Sequence, residues 1–150
     1  GPEGEARCCT VQVEKGEFPR LSLETRSERC NHCENAPCVS ACPTAASHYD
    51  IGGIVVVDPN KCIGCKVCTL ACPYEVRYLH PDGYIDKCTF CVHRVKEGKD
   101  PACVTVCPTK ALTFGDLDDP RSEIFRQLQS RPARVLKPEE GTRPRFFILP

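Results

Sequence analysis

Apolar and polar positions alternate in short stretches along this chain, and cysteines at fixed spacings interrupt them. Val11 and Val13, then Leu21 and Leu23, alternate with polar neighbours on either side of Gly16, which predicts two short strands within residues 1–29. From Cys30 a unit repeats: cysteine motif, strand, turn, strand, next motif. Residues 47–50 and 54–57 flank Gly52 and Gly53, a hairpin whose glycines supply the positive φ of a tight turn. Residues 76–79 and 84–86 flank Pro81, Asp82 and Gly83 and predict a second hairpin. Residues 111–114 read as a further strand ending at Gly115. Beyond it, Ser122 is placed to cap a short helix whose apolar face is Ile124, Phe125 and Leu128. No run approaches the ~18 apolar residues that span a bilayer, so no direct membrane insertion is expected.

Composition sharpens this picture. A chain of 150 residues with six Phe, four Tyr and no Trp cannot rest on a large aromatic core, so something besides apolar burial must hold it together. Fourteen cysteines leave three options: a disulfide scaffold, structural zinc or iron–sulfur clusters. The formal net charge is zero, which argues against nucleic acid as a partner. The residues after position 120 are locally basic, with Arg121, Arg126, Arg131, Arg134, Lys137, Arg143 and Arg145 against Glu123, Glu139 and Glu140. Such a tail is either solvated or docked on a partner subunit, and its apolar end, residues 146–149, favours docking. Met is absent even at position 1, so Gly1 is not expected to be a translation start, and Gly1 and Pro2 read as a scar of processing or cloning.

The spacing of the cysteines decides between the three options. Cys62, Cys65, Cys68 and Cys72 stand at Cys-x2-Cys-x2-Cys-x3-Cys before Pro73, the spacing by which bacterial-type ferredoxins hold cubane clusters, their fourth cysteine serving a neighbouring cluster. Candidates for that neighbour lie on both sides: Cys30, Cys33, Cys38 and Cys42 before Pro43, and Cys88, Cys91, Cys103 and Cys107 before Pro108. One loop with this spacing covers three corners of a cube, and Gly64 allows the backbone to approach the inorganic core. The step from Cys68 to Cys72 is about one helical turn, and Pro73 ends the helix. Zinc ribbons want two Cys-x2-Cys pairs and have no use for a fourth cysteine before proline, and disulfides within such tight loops would be strained.

Charged and polar residues stand beside these motifs. Lys61, Lys66, Lys87 and Arg94 lie next to or within them, where positive charge raises a cluster's potential, though solvated charges are an equal alternative. Cys8 and Cys9 are adjacent, so their side chains point apart in an extended chain, and they are expected to be non-ligands. His32 and His93 are surplus to the motifs and are expected to make hydrogen bonds or lie at the surface rather than bind metal; His48 and His80 are scattered. No nucleophile–base constellation is visible, so the chain is expected to be non-catalytic, and no lone three-cysteine motif suggests a radical enzyme.

The chain resembles the four-cluster iron–sulfur electron-transfer subunits of molybdopterin oxidoreductases of the dimethyl sulfoxide reductase superfamily, including those of polysulfide and tetrathionate reductases. The matching stretches are residues 30–39, 53–58, 61–77, 86–94, 101–104, 114–123 and 141–144. The resemblance implies an α+β fold of tandem ferredoxin-like [4Fe–4S] modules with short hairpins and helices. The pattern along the chain divides it into an N-terminal segment 1–29, an iron–sulfur domain 30–115 and a C-terminal helix and basic tail 116–150, the tail expected to dock on a partner. The resemblance implies one cluster on Cys30, Cys33, Cys38 and Cys72, and a second on Cys62, Cys65, Cys68 and Cys42. Cys88, Cys91 and Cys103 would hold a third, whose fourth ligand in the family comes from an N-terminal motif, while Cys107 would complete that motif's own cluster.

The N-terminal four-cysteine motif is not in this sequence, so the third site is completed by Cys107, by Cys8 or Cys9, or by a partner's residue, or is a three-iron form, or is absent. The implied partners are a molybdopterin-containing catalytic subunit and a quinone-linked membrane subunit, on the periplasmic or the cytoplasmic face. The rivals are an independent polyferredoxin, a hydrogenase or formate dehydrogenase subunit and, from another class, a zinc-stapled interaction module.

Overall fold

In the computed structural model, residues 4–150 are described; Gly1 and Pro2, read above as a scar, lie outside them. The chain divides into two compact units, one of Gly1–Asn31, Pro37–His48 and Val56–Thr89, the other of His32–Ala36, Tyr49–Val55 and Phe90–Pro150. The architecture is small and mixed, with three two-stranded sheets and short helices among the described residues.

The first unit opens on an antiparallel hairpin of β1 (Cys8–Lys15) and β2 (Ser22–Arg29), in register from Cys8 opposite Arg29 to Lys15 opposite Ser22. Gly16 has φ +89°, and a Cβ there would overlap the carbonyl oxygen of Arg20, so the turn requires glycine. The alternation at Leu21 and Leu23 marks extended chain but not a buried face, since these residues remain 51% and 63% exposed. Charged side chains line the hairpin instead: Lys15 on β1 pairs across to Glu24 on β2, and along β2 Arg26 pairs with Glu28 at 2.7 Å. Arg7 reaches Asp86 at 2.9 Å, and the Tyr78 hydroxyl donates to the same carboxylate at 2.9 Å, tying the start of the chain to a later hairpin.

That hairpin is β5 (Tyr78–Leu79) with β6 (Ile85–Asp86), and Gly83 in its turn has φ +89°. Between the first two motifs, β3 (Ser47–Tyr49) and β4 (Val55–Val57) pair across a single 3-10 turn, Ile51–Gly53, with Gly52 and Gly53 at φ +62° and +73°. Both expected hairpins are present. The strand expected over residues 111–114 is not: the segment is irregular, and no described strand pairs with it. A lone extended segment has no ladder to hold it, and its Phe114 packs edge-on against Phe90 at 5.4 Å.

Short helices follow the cysteines. α1 (Pro37–Ser40) carries Cys38, α2 (Val67–Leu70) carries Cys68, α3 (Val92–Lys96) follows Cys91 and α4 (Ala102–Thr105) carries Cys103. The insertion in the third motif is thus partly helical. α5 (Glu123–Ser130) in the second unit starts where expected, the Ser122 hydroxyl accepting from the Phe125 amide at 3.2 Å. Replacing Ser122 with alanine should cost about 1 kcal/mol of local stability, measured as faster amide exchange over residues 123–130, with little change elsewhere.

The C-terminal tail folds back on its own unit. The amides of Glu34 and Asn35 donate to the carbonyls of Arg143 and Thr142 at 2.9 and 3.0 Å. Arg143 pairs with Glu34 at 3.1 Å, Arg145 donates to the Gly52 carbonyl at 3.0 Å, and Ile148 bridges to Arg134. The apolar end is therefore partly sheltered within its own unit, residues 146–149 all being of intermediate exposure.

Candidate metal centre

The three cysteine motifs end in the same local structure. In each, the third cysteine sits on a one-turn helix (Cys38, Cys68, Cys103) and the fourth follows it directly before proline (Cys42, Cys72, Cys107). Three residues later comes a left-handed residue, Ala45, Glu75 or Lys110, at φ +53°, +55° and +53°. Its amide donates back to the cysteine carbonyl at 3.3, 3.3 and 3.2 Å. The proline cannot continue the helix, so each motif reverses at the same step.

Two groups of thiols form in the first unit, and each mixes motifs. Cys38 interacts electrostatically with Cys30 of its own motif and with Cys72 of the next. Cys68 interacts with Cys62 of its own motif and with Cys42 of the preceding one. Cys30, Cys38, Cys68 and Cys72 are buried, as is Cys33, which belongs to the second unit, whereas Cys65 is exposed. Burial pushes the Cys38 and Cys68 thiols up, with Arg77 pulling both down.

Donors converge on several of the sulfurs. The Ser47 amide donates to Cys42 Sγ at 3.4 Å, the Ile85 amide to Cys62 Sγ at 3.4 Å and the Ala111 amide to Cys107 Sγ at 3.3 Å. At Cys42 burial works against the thiolate, but the amides of Ser47, Thr44 and Ala46 and the Thr44 hydroxyl outweigh it and hold the thiol low. At Cys107 the Thr109 hydroxyl is the main cause of the same lowering, aided by the Ala111, Leu112 and Thr109 amides.

Arg77 and Lys87 complete the setting. Arg77 is 4% exposed and donates from Nη2 to Cys38 Sγ at 2.8 Å and to Ser47 Oγ at 2.9 Å, and it interacts electrostatically with Cys68. Lys87 is 1% exposed, interacts with Cys30, Cys88 and Cys38, and donates from Nζ to the Cys88 carbonyl at 2.8 Å. Burial is the main cause that pushes its ammonium down, and the Arg77 charge adds to it, against the pull of the thiols. Of the four cations singled out in the sequence only Lys87 is buried among thiols. Lys61 is exposed beside Asp58, Lys66 is exposed, and Arg94 donates to the Asp100 carbonyl at 2.8 Å. Sequence reasoning passes over Arg77, because it sits in an apolar run that reads as strand; its distance of four residues from Pro73 is the one signal that could have found it.

The remaining candidates fall as follows. Cys91, Cys103 and Cys107 belong to the second unit, and Cys88 to the first. Cys8 and Cys9 are exposed on β1, with Cys9 Sγ 3.9 Å from the Glu28 carbonyl. His32 accepts from the Val55 amide at 3.1 Å and packs its ring 4.8 Å from Phe90, a structural role, while His93 is exposed. Gly64 has φ +67°, and a Cβ there would collide with the Gly83 carbonyl. The close approach that requires glycine is thus made by the neighbouring hairpin.

The donor set fits anionic clusters by its chemistry. Among the described residues no group of three or more His, Cys, Asp or Glu side chains could hold one metal ion. The thiols instead face buried cations and amide N–H groups, the surroundings that stabilise negative charge on cluster sulfurs.

Known proteins point the same way. The sequence profile of the 4Fe-4S dicluster domain matches residues 21–117. Protein NrfC of Escherichia coli strain K12 is 48% identical over 153 residues, covering 99% of this chain and 69% of the relative. A polysulfide reductase polypeptide of Wolinella succinogenes is 51% identical over 134 residues, covering 87% and 69%. The thiosulfate reductase electron transfer subunit PhsB of Salmonella typhi is 53% identical over 115 residues, covering 71% and 60%. This protein belongs to the 4Fe-4S dicluster domain family and is a non-catalytic iron–sulfur electron-transfer subunit.

Proposed function

We propose that the chain carries tandem ferredoxin-like cluster sites and relays single electrons between a molybdopterin-containing catalytic subunit and a quinone-linked membrane subunit. The observation that carries the reading is the crossing of the fourth cysteines: Cys72 among the thiols of the first motif, and Cys42 among those of the second. On this reading Cys30, Cys33, Cys38 and Cys72 hold one cluster, and Cys62, Cys65, Cys68 and Cys42 the next. Cys88, Cys91 and Cys103 hold a third, with Cys107 as the fourth thiolate that this sequence offers it.

A [4Fe–4S] cluster supplies a one-electron couple. The protein's part is to hold the thiolates, to exclude water from Cys30, Cys33, Cys38, Cys68 and Cys72, and to place N–H donors on Cys42, Cys62 and Cys107. Membership of a reductase complex is supported by the names of the relatives, which include polypeptides of polysulfide and thiosulfate reductases; the molybdopterin and quinone-linked partners are what the family resemblance implies. Among the described residues no helix is long and apolar enough to cross a membrane.

Iron and acid-labile sulfide analysis of anaerobically prepared protein tests the ligand sets. About twelve irons per chain are expected if the third site is complete and about eight if it is not; stoichiometric zinc in place of iron would refute the assignment. Co-purification of a pterin-containing large subunit tests the partner, and an independent polyferredoxin would bring none.

A further inference from the structure

Arg77 and Lys87 are an unusual pair. Both cations are almost wholly buried, at 4% and 1% exposure, and the charge of Arg77 is felt at Lys87. Two like charges out of water and within reach of each other are costly unless anions offset the desolvation. Besides Ser47 Oγ at 2.9 Å, Arg77 faces sulfur: Cys38 Sγ at 2.8 Å, with Cys68 and Cys30 among its electrostatic neighbours. Its Nε and Nη1 are buried without a hydrogen-bond partner. Neutral thiols cannot balance such a centre, but metal-bound thiolates and sulfides can.

The two cations reach different thiols. Arg77 donates to Cys38, assigned above to the first cluster, at 2.8 Å and interacts electrostatically with Cys68, assigned to the second. Lys87, 1% exposed, interacts with Cys30 and Cys38 of the first set and with Cys88 of the third motif, whose carbonyl accepts from its Nζ at 2.8 Å.

We propose that Arg77 is a counter-charge shared by the first two clusters and raises the reduction potential of both, whereas Lys87 raises the potential of the first and not of the second. The inference rests on the ligand sets proposed above. Reduction adds one electron from an external donor to a cluster without making or breaking a bond, so its equilibrium responds directly to a fixed positive charge nearby.

The test is a potentiometric titration of the cluster-loaded protein, with dithionite as donor and electron paramagnetic resonance as readout. Arg77→Gln is expected to disfavour reduction of both clusters by about tenfold or more, a fall of about 59 mV each. Lys87→Gln is expected to lower the first cluster by a similar factor and to move the second by less than about twofold. Arg77→Lys, which keeps the charge, should recover most of the loss, and the exposed Lys99→Gln should move neither cluster appreciably. Should Arg77→Gln lose its clusters, Arg77→Lys and Lys87→Gln still decide. Potentials that stay put in clustered Arg77→Gln, or a Lys87→Gln that shifts both clusters equally, would overturn the proposal while leaving the ligand sets standing. Wild-type protein without iron would instead overturn the ligand sets.

Discussion

Replacing Cys72 with serine is expected to remove or cripple the cluster nucleated by Cys30, Cys33 and Cys38, while the cluster of Cys62, Cys65 and Cys68, in whose motif Cys72 lies, survives. About four irons should be lost, and the resonance signal that remains should be that of the second set. The reasoning is geometric. Cys72 is buried, 8% exposed, and interacts with Cys38, whereas the thiols that Cys68 feels most are Cys42 and Cys62. The short α2 helix ends before Pro73, so Cys68 and Cys72 leave the turn towards different partners. The reciprocal Cys42→Ser should spare the first cluster and damage the second. Loss of the Cys62/Cys65/Cys68 signal in Cys72→Ser, with the first cluster intact, would contradict the exchange.

Removing the iron is expected to abolish the cooperative thermal transition of the protein. Among the described residues twelve apolar ones are buried, and five of them are the cysteines Cys30, Cys33, Cys38, Cys68 and Cys72. In the first unit the larger buried apolar side chains are Val56, Tyr78 and Ile85. Fully burying a side chain of that size contributes about 1.5–3 kcal/mol, too little to order so many residues alone. Without metal, Arg77 and Lys87 would also remain buried beside uncharged sulfur, which adds a penalty of several kcal/mol. Cluster binding is then folding free energy, and its loss is set against only the roughly 5–15 kcal/mol by which a small domain is stable. Calorimetry or circular dichroism of chelated, anaerobic protein checks this: a sharp melt near that of the loaded protein would show that the apolar core suffices.

Much of the local structure is legible in the residues because it is set by neighbours in sequence. Gly52, Gly53 and Gly83 adopt the positive φ that their turns need, and the Ser122 hydroxyl caps its helix by accepting from an amide three residues on. The proline after each fourth cysteine ends each helix in the same way. The missing strand at residues 111–114 marks the limit of such reading: its alternation is real, but a strand also needs a partner ladder, and none of the described strands provides it. The exposure of Leu21 and Leu23 has the same origin, since a pattern names a face without saying what will cover it.

The sequence alone determined that this is an iron–sulfur protein, because a cube needs several thiols from one tight loop and that demand is met by spacing along the chain. It also determined where the cysteine helices stop. Only the tertiary structure decided that Arg77 is buried against Cys38, that Lys87 rather than Lys61 or Lys66 is buried among thiols, and that the Gly64 loop is tightened by Gly83. Arg77 and Cys38, like Gly64 and Gly83, are some twenty to forty positions apart, brought together by how hairpins fold over the motifs, and no local periodicity encodes which charge ends inside.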